Sequence, residues 1–299
     1  AALVDSGTLV VLGAASTVTV SDAVTAAEGK AIADVSNATA TFTTGIADAY
    51  ASLYTASTVT ANLTAVATEQ TTVPVVINDA ATLSATAAGL AAIGGATLGT
   101  VKVTNATTIA SAAKADVLAA LVTDATKVVL GGASTVTVSD AVTAAEGQSI
   151  AAATNVTDTF TLGVADSISN LVTAGAASTN FAAVVADQGA VPVAISDTSA
   201  LATDLTAIDG ATTGVVTGAS LTSISGTAAA VKAVTDTLAT IVVGTVAGGV
   251  SDANATITGT SAAASDLTSI DSKVGTVTGS TLATITGTGT AVAAVGTAI

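Results

Sequence analysis

The sequence predicts a repeat solenoid: a right-handed parallel β/α coil of β-helix type, with short strands and Ala-rich helices on one side. Tandem β-rich surface domains are the alternative class. Three observations carry the prediction. The segments Leu12–Gly29 and Leu130–Gly147 differ only at Ala14 and Gly132, and the same offset of 118 residues joins Asp22 to Asp140, Ile32 to Ile150, Phe42 to Phe160 and Pro74 to Pro192. A long internal repeat of this kind signals an array rather than a domain with one central core. Composition agrees, because 50% of the 299 residues are apolar while 2% are aromatic and 9% charged, which leaves small side chains suited to thin layers. Several segments also share one local pattern: a β-branched strand, a Gly or Ser turn, a second strand, a polar cap and an Ala-rich helix.

That pattern is clearest over Gly214–Val234, where Val215–Thr217 and Leu221–Ile224 read as strands and Thr227 as a helix cap. It recurs over Gly99–Lys114, Ala255–Ala264 and Val274–Thr288. Ile224, Ile257 and Ile285 lie 33 and 28 residues apart, so each marks one supersecondary unit and the 118-residue period is a super-repeat of shorter rungs. The array divides into super-repeats over residues 1–118 and 119–236 and shorter terminal rungs over 237–299, all in one continuous coil. Strands separated by a helix pair in parallel through a crossover, which favours a right-handed path. Roughly ten to twelve rungs at ~4.8 Å would make a rod about 50 to 60 Å long. Ala113–Val122 is expected as a helix closing one side, since Ala permits close packing and has the best helix propensity. Ala61–Thr72 and its counterpart over Ala177–Ala190 match the pattern least and read as an irregular rung or insertion. Pro74 and Pro192 are expected at strand starts, where a missing N–H is tolerated.

Composition excludes several function classes. Mean hydropathy is +0.78, yet Thr, Ser, Gly or Asp interrupts every apolar run well short of the ~20 residues a spanning helix needs. Two Tyr and three Phe cannot furnish the aromatic girdles of a membrane barrel, so no membrane insertion is expected. Net charge is −15 and no Arg is present, which excludes nucleic acid because nothing neutralises a row of phosphates. Zero Cys removes disulfides and thiolate chemistry, and the lack of any Met, even at position 1, reads as a processed product or an excerpt of a longer chain.

The polar residues read mainly as structure. Asp22, Asp48, Asp79, Asp140, Asp166 and Asp197 each follow a strand and precede Ala-rich sequence, the place of a helix N-cap carboxylate. The sharper reading of these six is calcium, should stacked rungs align them into an oxygen cage, but no EF-hand loop and no Gly-Gly-x-Gly-x-Asp repeat supports it. Asp209 and Asp271 read as turn residues leaving helices, and Glu28 and Glu146 as solvating helix faces. Thr reads as a strand former whose hydroxyls pair across rungs; the Thr-x-Thr pairs at Thr17, Thr135 and Thr284 also suggest an ice-binding face, against which their irregular spacing argues. Asn37, Asn62, Asn105, Asn155 and Asn254 open Asn-x-Ser/Thr sequences and are glycosylation candidates. No catalytic or cofactor-binding residue is assigned, and with no Trp, His or Arg a glycan-cleaving groove is disfavoured, so the chain reads as a non-enzyme.

Two phrases, Thr17–Glu28 and Leu205–Gly218, resemble the Ala/Thr/Val/Asp-rich repeats of large bacterial secreted and surface proteins, among them cyanobacterial and proteobacterial surface-layer and haemolysin-type repeat proteins. The resemblance implies an extracellular or cell-surface location, export without a cleaved signal in some members, and a structural or adhesive role. The calcium repeats common in that group are missing here. The resulting expectation is a secreted building block of a filament, fibre or surface layer that self-associates. An adhesin, or a module binding ice or a cell-surface glycan, is the alternative.

Overall fold

The computed structural model describes residues 15–35, 38–124, 126–153, 157–237, 241–247 and 250–296. Short strands alternate with short helices throughout, the larger sheets are parallel, and none of them closes into a barrel among the described residues. Contacts group the chain into two compact units, Ala1–Asp140 with Ser149–Thr159, and Ala141–Gln148 with Phe160–Ile299.

In the first unit one sheet runs Ile46–Asp48, Val75–Ile77, Val101–Val103, Val128–Val129 in spatial order. A second runs Leu83–Ser84, Thr107–Ala112, Thr135–Val138, Thr157–Phe160, and Thr17–Val20 pairs with Thr39–Phe42. The second unit repeats the plan. Its sheets run Val164–Asp166, Val193–Ile195, Val216–Gly218, Ile241–Val243, and Ser199–Leu201, Ser223–Gly226, Asn254–Ile257, Val277–Thr278. The strands Ser261–Ala263 and Thr284–Thr286 form a further parallel pair.

Register explains why β-branched residues recur. Ile46, Val75, Val101 and Val128 stand opposite one another on successive strands and are all buried, as are Val164, Val193, Val216 and Ile241. Period-two alternation sends their neighbours outward, so one aliphatic ladder fills each sheet's inner face. Full burial of one such side chain contributes about 1.5–3 kcal/mol. The helices supply Ala, Leu and Val to the same core, with Leu90, Ile93, Val117 and Leu121 buried in the first unit and Leu205, Ile208, Val231 and Val234 in the second.

Several expected elements are found close to where the sequence places them. The pattern over Gly214–Val234 forms Val216–Gly218 and Ser223–Gly226, one and two residues later than expected, and the helix Ala228–Asp236, whose cap is Thr227. Ala113–Val122 forms the helix Lys114–Leu121. Pro74 and Pro192 directly precede strands, and the carbonyl of each accepts the N–H that opens the preceding one, from Ile46 and Val164 at 2.9 Å. That approach requires Gly45 and Gly163. Both have positive φ, and a Cβ at either would lie 2.2 or 2.0 Å from the proline carbonyl oxygen.

Two features depart from the expected spacing. Ile224, Ile257 and Ile285 do not stack on one another; Ile224 faces Ala255, Ile257 faces Gly226 and Ile285 faces Ala262. The antiparallel pair Val246–Ala247 and Val250–Ser251 lengthens one connection, so that Ser223 pairs with Asn254, 31 residues on, whereas Thr17 pairs with Thr39, only 22 on. The segments that match the pattern least each form an additional helix, Ala61–Glu69 or Thr179–Asp187, directly preceded by a two-residue antiparallel hairpin. These helices deliver side chains to a sheet edge. Glu69 and Gln70 accept the N–H groups of Ala40 and Phe42 at 2.7 and 2.6 Å, and Gln188 accepts that of Phe160 at 2.6 Å. A strand edge closed by side chains offers no template for another strand there.

Candidate functional site

The repeated carboxylates are the most distinctive polar feature of the fold, and their geometry follows from strand register. Val24 pairs with Ile46, Asp48 with Ile77, Ala112 with Val138, Val142 with Val164 and Asp166 with Ile195. Two residues further along, one partner begins a helix and the other is an aspartate. Asp48, Asp79, Asp140, Asp166 and Asp197 therefore accept the first helical N–H of Ala26, Tyr50, Lys114, Ala144 and Ile168, at 2.7 to 3.1 Å. Each carboxylate also meets the positive end of that helix.

The capping role is as expected but the partner is not. Each aspartate caps the helix of the preceding rung rather than the helix that follows it in sequence, because parallel stacking sets its strand end against the earlier helix start. Asp48 and Asp166 use their second oxygen on the N–H of Ala49 and Ser167, and Asp166 also accepts Asn170 Nδ2. Asp22 differs: it is exposed, with no hydrogen bond to its carboxylate among the described residues. Nor do three metal-ligating side chains gather anywhere among those residues, so the calcium candidates Asp22, Asp48, Asp79, Asp140, Asp166 and Asp197 do not converge on one another.

Glu28 and Glu146 form reciprocal caps that the sequence reading treats only as solvating groups. Glu28 accepts the N–H of Thr25 at 2.9 Å while Thr25 Oγ1 accepts the N–H of Glu28 at 3.2 Å, and Thr143 with Glu146 repeats the arrangement. The signal is present as Thr-Ala-Ala-Glu, the capping-box spacing. The hydrogen bonds from Thr25 hold the Glu28 carboxyl below its ordinary range. Asp236 is lowered as well, by hydrogen bonds from Lys232 and Lys273, and Lys232 is raised by Asp236.

Threonine hydroxyls bond backbone carbonyls rather than one another in nearly every case, some within their own turn or helix, as Thr64 and Thr206 do, and others on the preceding rung. Thr97 and Thr212 donate to the carbonyls of Val73 and Val191 at 2.6 and 2.7 Å, and Thr104 and Thr222 to those of Ile77 and Thr198. Thr256 and Thr278 do meet hydroxyl to hydroxyl, at 3.4 Å. Of the Thr-x-Thr pairs, Thr17 and Thr19 stack in register on Thr39 and Thr41, all four exposed, while Thr286 faces Ala263.

The second unit carries a groove of ≈ 450 Å³ lined by Ile168, Val172, Asp197, Leu201, Asp204 and Ser225 among others. In the first unit Tyr50 and Tyr54 stand in place of Ile168 and Val172, with rings 5.8 Å apart and the Tyr50 hydroxyl 3.2 Å from Thr86 Oγ1. Among the glycosylation candidates, Asn105 donates its amide to the Asp79 carbonyl, Asn62 is half-buried and Asn254 is exposed on a strand. Asn37 and Asn155 lie outside the described residues.

No described helix is long and apolar enough to cross a membrane. Comparison with protein-family models, with curated proteins and with solved structures gives no match.

Proposed function

We propose that this chain is a non-enzymatic building block of an extracellular filament, fibre or surface layer, built as a right-handed β/α solenoid and assembling through self-association. The observation that carries the reading is the direction of its polar chemistry. Aspartate caps, threonine hydroxyls and glutamine side chains bond from one rung to the next, which is how an array is stitched, and repeats of this kind add stability by nearest-neighbour contact. The likeness to bacterial surface repeats supports the same role and location. In this reading the aspartates act as helix caps, five of the six holding backbone N–H donors, and assembly is not triggered by calcium. Sedimentation velocity of the purified chain over a wide concentration range tests it. The reading predicts species that grow with concentration and are indifferent to added calcium or chelator. A single monomer boundary at every concentration would falsify it.

One observation favours the second reading, a module binding ice or a surface glycan: the exposed, in-register hydroxyls of Thr17, Thr39, Thr19 and Thr41. Thermal hysteresis, or retention on a glycan array that is lost in Thr19→Val with Thr41→Val, would support that reading over the first.

A further inference from the structure

We propose that the groove of the second unit binds a small aromatic ammonium, its ring packed on Ile168, Val172 and Leu201 and its charge held by Asp204 and Asp197. The inference stands apart from the self-association reading.

The repeat supplies an internal comparison. Tyr50 and Ile168 each open a four-residue helix, and their N–H groups go to Asp79 and Asp197 at 2.9 and 2.7 Å. Tyr54 and Val172 each follow that helix and begin a two-residue hairpin strand. The third matched position lies on the next long helix of each unit, Ala87–Ala96 and Ala202–Ala211. Gly89 and Asp204 are the third residues of these helices, ahead of buried Leu90 and Ile93 in one and Leu205 and Ile208 in the other.

In the first unit these residues fit together. A Cβ at Gly89 would collide with the Tyr50 hydroxyl oxygen and lie 2.8 Å from Tyr54 Cε1, so in that pose both rings rest on a helix start that only glycine leaves open. The second unit differs at all three positions. Aliphatic side chains stand for the rings and a carboxylate for the glycine. Leu201 takes the place of the cap Thr86 and is 52% exposed. One wall of the groove is therefore apolar at the positions where its twin holds aromatic rings.

The remaining lining sets the charge. Asp204 is half-buried, and its carboxylate holds no hydrogen bond or ion pair among the described residues. Asp197 uses one oxygen on the Ile168 N–H, and its other oxygen accepts no hydrogen bond among those residues. Ser169, Ser199 and Ser225 add hydroxyls, and no lysine lines the groove. Two carboxylates without a basic partner oppose an anion and suit a donor cation, since charge-assisted hydrogen bonds are the strong ones. Three metal-ligating side chains do not gather among the described residues, which is short of the oxygen set that calcium takes. A volume of ≈ 450 Å³ lies within the ~300–1,000 Å³ of small-molecule sites. A ring for the apolar wall and an ammonium for the carboxylates satisfy both halves of the lining.

Isothermal titration calorimetry at low salt with phenethylammonium tests the assignment. Phenethyl alcohol keeps the ring without the charge, and n-propylammonium keeps the charge without the ring. Wild type should bind phenethylammonium and bind each of the other two weaker by about tenfold or more. Asp204→Asn, at a half-buried position, should weaken phenethylammonium by about tenfold while its thermal unfolding stays close to wild type. Ile168→Tyr combined with Val172→Tyr and Asp204→Gly copies the first unit and should abolish binding, with circular dichroism reporting whether it folds. Phe-Gly-Gly amide carries the same ring and ammonium at a peptide end. Tighter binding of it than of phenethylammonium assigns the groove to a peptide N-terminus and weaker binding to a free amine, and either supports the ring-and-ammonium chemistry. No heat from phenethylammonium at millimolar concentration, equal binding of n-propylammonium, or full binding by Asp204→Asn overturns the proposal. Self-association is untouched by any of these results, since sedimentation velocity tests it separately.

Discussion

Asp48 and Asp22 have the same sequence surroundings in kind, a strand before and Ala-rich sequence after, yet they do different work. The Asp48 carboxylate holds two backbone N–H groups and Asp22 holds none among the described residues. Asp48→Ala should therefore lower stability by about 1 kcal/mol, within the ~0.5–2 kcal/mol of a lost N-cap, as measured by urea unfolding. Asp22→Ala in dilute, unassembled protein should leave the midpoint unchanged. Acid stability gives a second check. Hydrogen bonds from Lys232 and Lys273 lower the Asp236 pKa below its unfolded value, so its contribution is complete above about pH 4 and is lost as pH falls through the lowered value. Wild type and Asp236→Asn should differ in stability at neutral pH and converge on acidification; a constant difference down to the acid limit would contradict this. The capping role of these aspartates was legible from one sequence, because strand ends and Ala-rich runs are local features. The identity of the capped helix was not, because the partner lies 22 to 29 residues away and depends on sheet register.

At the scale of elements, two local devices set how rungs meet. Gly45 lets the chain turn against the Pro74 carbonyl, with Gly163 and Pro192 as the second copy. Gly45→Ala should cost about 1–3 kcal/mol from backbone strain alone, with more from the close approach, whereas Gly132→Ala, in open space and matched by Ala14, should be neutral in thermal unfolding. Ile46→Ala, which removes one member of a buried ladder, should cost about 2–5 kcal/mol in the same assay. The strand and helix pattern over Gly214–Val234 was readable because β-branched runs, a Thr cap and Ala-rich sequence follow one another without interruption. The Ile224, Ile257, Ile285 spacing misled because a small hairpin lengthens the connection between Ile224 and Ile257 and because Ile285 belongs to a different strand pair. The edge-closing use of Gln70 and Gln188 had no sequence signal, since a glutamine after a helix looks like any solvated residue.

At the scale of the whole molecule, the 118-residue repeat appears twice over in side-chain detail, from the Gly–Pro turns to the reciprocal Thr–Glu caps. Its departures are as informative. Ile168 and Val172, which line the groove, stand where the first unit has Tyr50 and Tyr54, and the shared Thr-Val-Thr-Val strand lies between two strands in one place and, among the described residues, beside one in the other. The proposed self-assembling array rests on side chains that bond from one rung to the next. Electron microscopy of the purified chain at rising concentration tests that most directly. The account predicts ordered filaments or lattices that grow with concentration. Uniform single particles at every concentration would contradict it.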